Sequence, residues 1–330
     1  MKALLNVLLA ALVIRAVDAQ AQESSALRMV QTIALPNVEG RIDHMAVDVK
    51  GQRLFIAALG NNSVEILDLN AGKHFKSIAG LHEPQGISFI PEFNKLLIAN
   101  AKTGACDIFD GSSFERIKSV KFSDDADNIR YDSNEQRVYV GYGNGGLGII
   151  DAKNGNHAGD IRLDAHPESF QLEKSGPRIF VNLPDAKKIG VVNREKRTVI
   201  TTWETGSAIA NFPMALDETH HRLFVGFRKP ASLTVFDTES GKSLANLDTV
   251  GDADDIFYDG SRQRIYIAGG DGFLSIFQQL DPDHYEPLTK ISTAAGARTA
   301  LFVPELNRLY LAVPHRGSQI AEVRVYSAQP

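Results

Sequence analysis

Apolar and polar positions along this chain fall into a pattern that repeats. A basic residue opens a short run of large and β-branched side chains that ends in a small or polar one. The run occurs as Arg53 with LFIA, Lys95 with LLIA, Arg137 with VYVG, Arg178 with IFVN, Arg222 with LFVG, Arg264 with IYIA and Arg308 with LYLA. The spacings are 42, 42, 41, 44, 42 and 44 residues, too regular for chance and therefore the period of a structural repeat. Within each unit an apolar run such as MAVD (45–48) or IRYD (129–132) comes first, followed by a polar turn and then the marked run. A loop and a third run follow: VEILD, CDIFD, LGIID, IGVVN, LTVFD, LSIFQ or VRVYS. A weaker fourth run, such as FKSIAG or SLANLDT, ends the unit. Short runs rich in Val, Ile, Phe and Tyr between turn residues are strands, and no long stretch has helical periodicity.

Four strands per unit predict an all-β chain folded as a seven-bladed β-propeller, with four antiparallel strands per blade. The seventh unit runs out after its third strand, at 325–327, and a suitable fourth strand lies at the other end of the chain, at 29–35. Pairing the two closes the ring and covers an edge that would otherwise invite aggregation. The repeat is unbroken, so 22–330 reads as a single propeller domain. The segment before it has the form of an export signal, residues 1–21: Lys2, an apolar run from Leu4 to Ile14, then Ala19-Gln20-Ala21 as a cleavage pattern. The apolar run is too short to span a bilayer, so the expectation is a periplasmic or secreted monomer with no membrane span after cleavage.

Composition narrows the picture in two places. A net charge of -5 argues against nucleic acid as a partner. A lone cysteine, Cys106, excludes an intrachain disulfide. There is no C-x-x-C-H, Walker loop or dinucleotide fingerprint, so no haem, nucleotide or flavin is implied. The segments 53–73, 137–155 and 222–242 (RLFIAALGNNSVEILDLNAGK, RVYVGYGNGGLGIIDAKNG and RLFVGFRKPASLTVFDTESGK) resemble the YVTN-type repeat of YncE-like exported propellers. The resemblance covers nearly all of the mature chain. It implies a seven-bladed ring outside the cytoplasm and leaves the biochemical role open.

Candidate chemistry gathers where the first strand of each blade begins, because a propeller brings those points to one mouth. Nine residues before each marked basic residue stand His44, Gly86, Asn128, Ser169, Pro213, Asp255 and Thr299; ten before stand Asp43, Gln85, Asp127, Glu168, Phe212, Asp254 and Arg298. Just outside lie Asn211 and then Arg41, Glu83, Asp125, His166 and Asp252. Positions that only solve a packing problem should match from blade to blade. These differ in every blade while the strands beside them stay uniform, as expected of a binding site on a repeating scaffold.

The carboxylates suggest a divalent cation held by Asp43, Asp127, Asn128, Asp254 and Asp255. Oxygen ligands suit Ca²⁺ or Mg²⁺, and added histidine suits Zn²⁺. Ligand contacts are expected from Arg41, Gln85, His166, Asn211, Arg228, Arg298, His315 and Arg316, the last two on a loop over the mouth. Three functions compete. The first is an exported propeller that binds a small polar molecule, a metal ion or both. The second is a metal-assisted lactone or ester hydrolase or lyase, similar in outline to gluconolactonase-type propellers, with His44 or Glu168 as general base or acid. The third is a scaffold for another exported protein.

Overall fold

The computed structural model describes residues 26–330, so the expected export signal at 1–21 lies outside the described residues. Each marked run is a strand that starts at its basic residue: Arg53–Ala58, Lys95–Asn100, Arg137–Tyr142, Arg178–Leu183, Arg222–Lys229, Arg264–Gly269 and Arg308–Val313. Each of these is the second strand of a four-stranded antiparallel sheet, and there are seven such sheets. Blades 1 to 6 run over 45–79, 84–121, 126–162, 170–204, 209–248 and 253–292. Blade 7 takes its last strand from the other end of the chain. Leu27–Ala34 pairs with Glu322–Ala328, from Leu27 opposite Ala328 to Ala34 opposite Glu322. The ring therefore closes as the sequence predicts, with the closing strand starting two residues before the expected segment.

A sheet must bury its apolar face against something. The apolar residues form seven core clusters, and each draws on two adjacent blades. Phe224 and Phe277, for example, meet between blades 5 and 6, and Tyr139 and Phe170 between blades 3 and 4. A large apolar side chain buried this way contributes roughly 1.5–3 kcal/mol.

Five of the seven marked basic residues tie neighbouring blades together at the rim. Arg53 donates to the Gly111 carbonyl, Lys95 to Ala152 at 3.1 Å, Arg178 to Thr238 at 2.8 Å, Arg222 to Pro282 at 3.0 Å and Arg264 to Gln329 at 2.6 Å, each on the next blade. The repeat thus carries its own inter-blade linkage. That leaves the first strands, at the centre, free to vary.

Candidate functional site

Two local devices set the mouth residues. The first is a left-handed turn twelve residues before the marked residue, with φ of 54° at Glu83, 36° at Asp125, 61° at Ala210, 52° at Asp252 and 77° at Gly296. For the four non-glycine residues this conformation costs on the order of 1–3 kcal/mol each, which the surrounding blades must offset. The second is a β-bulge. Pairing of first to second strand shifts between Pro84 and Ile87, Ala126 and Ile129, Asn211 and Met214, and Ala253 and Asp255. A bulge frees adjacent side chains from strict alternation and re-aims them.

The result is two stacked layers. All seven residues ten before the marked residue (Asp43, Gln85, Asp127, Glu168, Phe212, Asp254 and Arg298) line one cavity of about 180 Å³, with Arg41, His44, Asp125, His166 and Arg228. Five of the residues nine before it (His44, Gly86, Ser169, Pro213 and Asp255) line a second cavity of about 460 Å³, the channel beneath. His44 is the one lining residue the two share. Gly86 shows how tight the joint is: a Cβ there would sit 1.9 Å from the carbonyl oxygen of Asp127.

The carboxylates are grouped differently from the expected common acidic cluster. Asp43 is paired with Arg41. Asp254 is clamped by Arg228 and by Arg298 at 3.0 Å, and both arginines also reach Asp252, at 3.4 and 2.9 Å. The Arg228 guanidinium stacks on Phe212, 3.9 Å from the ring centre. Asp255 accepts the Ala300 N–H at 2.8 Å and faces His44 at 3.6 Å. Of the expected metal ligands, then, Asp43, Asp254 and Asp255 already have cationic partners. Only Asp127 belongs to a compact set of ligand atoms, with His166 and Glu168, all within 4.8 Å of one another. Asp127 is 6% exposed, and its Oδ1 has no hydrogen-bond partner. Asn128, 2% exposed, is likewise unsatisfied at Oδ1 but does not line the mouth.

Protonation follows from these neighbours. Burial opposes a charge on His44, but Asp255 and Asp43, with Asp127 behind them, raise it to about 10. It is therefore an imidazolium that seats between two carboxylates. Burial and the nearby Asp127 push Glu168 up to about 8, so it carries a proton at neutral pH. Burial also works against a charge on His166, yet Asp127 and the Gly143 carbonyl, which its Nδ1 contacts at 2.6 Å, raise it to about 9. With Nδ1 tied to a carbonyl, Nε2 is turned toward Asp127, 4.0 Å away. Chemically, Glu168 is a proton donor and His44 a fixed cation.

Three expected contacts stand apart from the mouth cavity. Asn211 is buried and donates to Asn182 and to the Lys188 carbonyl, both at 3.0 Å. His315 pairs with Glu39 at 2.8 Å, and the exposed Arg316 packs beside Gly296. Conversely, Arg130 lines the channel and Phe212 the mouth, neither with a role assigned from sequence. For Arg130 the signal was present: it is the single charged residue at a position seven before the marked one.

Neither a protein-family model nor a curated protein matches the chain. Solved structures do. The chain is similar to one in the hydrazine synthase of Kuenenia stuttgartiensis, at 15% identity and a TM-score of 0.75, over 87% of this chain and 97% of that one. It is also similar to a chain of the mitotic checkpoint complex, at 13% identity and a TM-score of 0.77, over 100% of this chain and 99% of that one. At such identities the likeness shows the fold alone. Topology and comparisons together make this a seven-bladed β-propeller, an architecture too widely shared to single out an activity.

Proposed function

We propose that this chain is an exported propeller of the YVTN type that binds a small polar molecule at the mouth, in the sector formed by Asp127, His166 and Glu168. The observation that carries the reading is the buried, unpartnered Oδ1 of Asp127 at a cavity to which the seven blades contribute Asp, Gln, Glu, Phe and Arg side chains. An unsatisfied buried oxygen costs about 1–3 kcal/mol, which a donor on a bound ligand would recover. The opposite sector, Arg228, Asp252, Asp254 and Arg298, is already internally paired. It supports the shape of the cavity rather than supplying free groups. The test is a thermal-shift screen of small polar molecules in the presence of a chelator. A compound that stabilises the wild type and not Asp127→Asn supports the reading; compounds that act equally on both, or none that act, count against it.

A second reading is a divalent cation on Asp127, His166 and Glu168, favoured by the closeness of their ligand atoms and by the orientation of His166. Two oxygens and an imidazole nitrogen suit Zn²⁺ or another transition metal better than Ca²⁺. Zn²⁺ alone should then raise the unfolding midpoint of the wild type and leave His166→Ala unmoved; equal shifts in both would exclude the site. The hydrolase or lyase reading needs a base near neutral pH. His44 keeps its proton and Glu168 is an acid, so binding is carried further than catalysis. An inert mouth in all these assays would favour the scaffold reading.

A further inference from the structure

The channel beneath the mouth holds a cation that no carboxylate balances at contact distance. Arg130 stands seven residues before Arg137, where the other blades have Ala46, Ser88, Gln171, Ala215, Phe257 and Leu301. Its guanidinium has five N–H donors. Nη1 donates to the Ile129 carbonyl at 2.9 Å and Nη2 reaches the Ser169 hydroxyl at 3.4 Å. Arg41, Arg228 and Arg298 each hold a carboxylate in an ion pair. Arg130 has none among the described residues, and Asp255 and Asp127 act on it only from farther off. Asp255, the one carboxylate that lines the channel, is already engaged by the Ala300 N–H and by His44.

The walls give the second half of the argument. Phe257 and Leu301 line the same cavity half-buried, with Phe89, Tyr258 and Phe302 of the blade cores at its walls, and its volume of about 460 Å³ is that of a small-molecule site. A guanidinium presents a fork that matches a carboxylate, and apolar walls match an apolar body. A bare inorganic anion would satisfy the charge and leave the walls wet.

We propose that the channel is a binding site for a small organic carboxylate with an apolar body, held by the Arg130 guanidinium. The site is separate from the mouth sector and does not depend on what binds there.

Calorimetric titration of the full chain with benzoate, its neutral analogue benzamide, and sulfate tests this. Benzoate should bind the wild type at least about tenfold more tightly than either comparison compound, the range expected for a charge-assisted pair within an apolar site. Arg130→Met, which keeps the stem, should lose about the same factor. The proposal is overturned if benzoate fails to bind at millimolar concentration. It is equally overturned if benzamide or sulfate matches benzoate, or if Arg130→Met binds benzoate undiminished. Should Arg130→Met not fold, the wild-type comparison of benzoate with benzamide and sulfate decides alone.

Discussion

The mouth and the channel are built from the same seven strand beginnings, one residue apart, yet they offer different chemistry. The mouth layer contains five titratable side chains, Asp43, Asp127, Glu168, Asp254 and Arg298. The five channel-layer residues include two, His44 and Asp255, and below them the walls turn aromatic. In a plain strand, adjacent residues would face opposite ways. The bulges let both layers reach the axis, so one step along the chain selects a charged compartment or an amphipathic one. His44 lies in both and separates them.

The most severe way to break this comparison is to open the ring. Deleting 26–36 removes Leu27, Ile33 and Leu35, each 2% exposed, and uncovers the edge of Glu322–Ala328. Their burial alone is worth about 5 kcal/mol. Mouth and channel should be lost together, read as a large drop in the urea midpoint; an unchanged midpoint would mean that the ring does not depend on its closing strand. Next in size is Gly86→Ala, whose methyl would meet the Asp127 carbonyl. Overpacking of this kind costs about 1–3 kcal/mol. Because Gly86 lines the channel and Asp127 the mouth, the variant should weaken binding in both compartments.

The strands, the blade number and the closure were legible because each rests on a repeated local pattern: alternation, a turn, a marked basic residue. The convergence of the ten-before residues was legible for the same reason. Their partners were not. Arg228 lies on a second strand in blade 5, 26 residues from its partner Asp254 in blade 6. Such a contact depends on how far one long side chain reaches across a blade boundary, and no periodicity records that. The unmatched Arg130 is a related case: its position could be read from the repeat, but its lack of a carboxylate appears only once the blades are assembled.

Four groups that hold their protons tightly line the mouth, and of these only His44 also lines the channel. Asp254, raised to about 6 by burial against the pull of Arg298, and Glu168, raised to about 8, keep protons in the folded state that an unfolded chain sheds near 4. His166 and His44, raised to about 9 and about 10, keep protons that an unfolded chain sheds near 6.5. In every case the folded state binds the proton more tightly, so stability falls as pH rises. In the presence of a chelator, the urea midpoint should decline from pH 5 to pH 9. Glu168→Gln should flatten the decline between about pH 5 and 8 and leave the later decline through His166 and His44. A midpoint that rises over this interval would mean that these groups are not held as described.

The smallest effect should come from the loop that sequence reading placed over the mouth. His315 reaches Glu39, whose side chain is 66% exposed, and neither residue lines either cavity. An exposed ion pair of this sort is worth about 0–1 kcal/mol and weakens with salt. His315→Ala should therefore shift the urea midpoint only slightly and leave both Zn²⁺ and benzoate responses unchanged. Arg316, exposed and set against Gly296, should behave the same way. If either substitution instead weakens binding at the mouth by more than about tenfold, the loop closes over the ligand when it binds. The mouth would then be a gated compartment, and the channel below it would remain the preformed one of the pair.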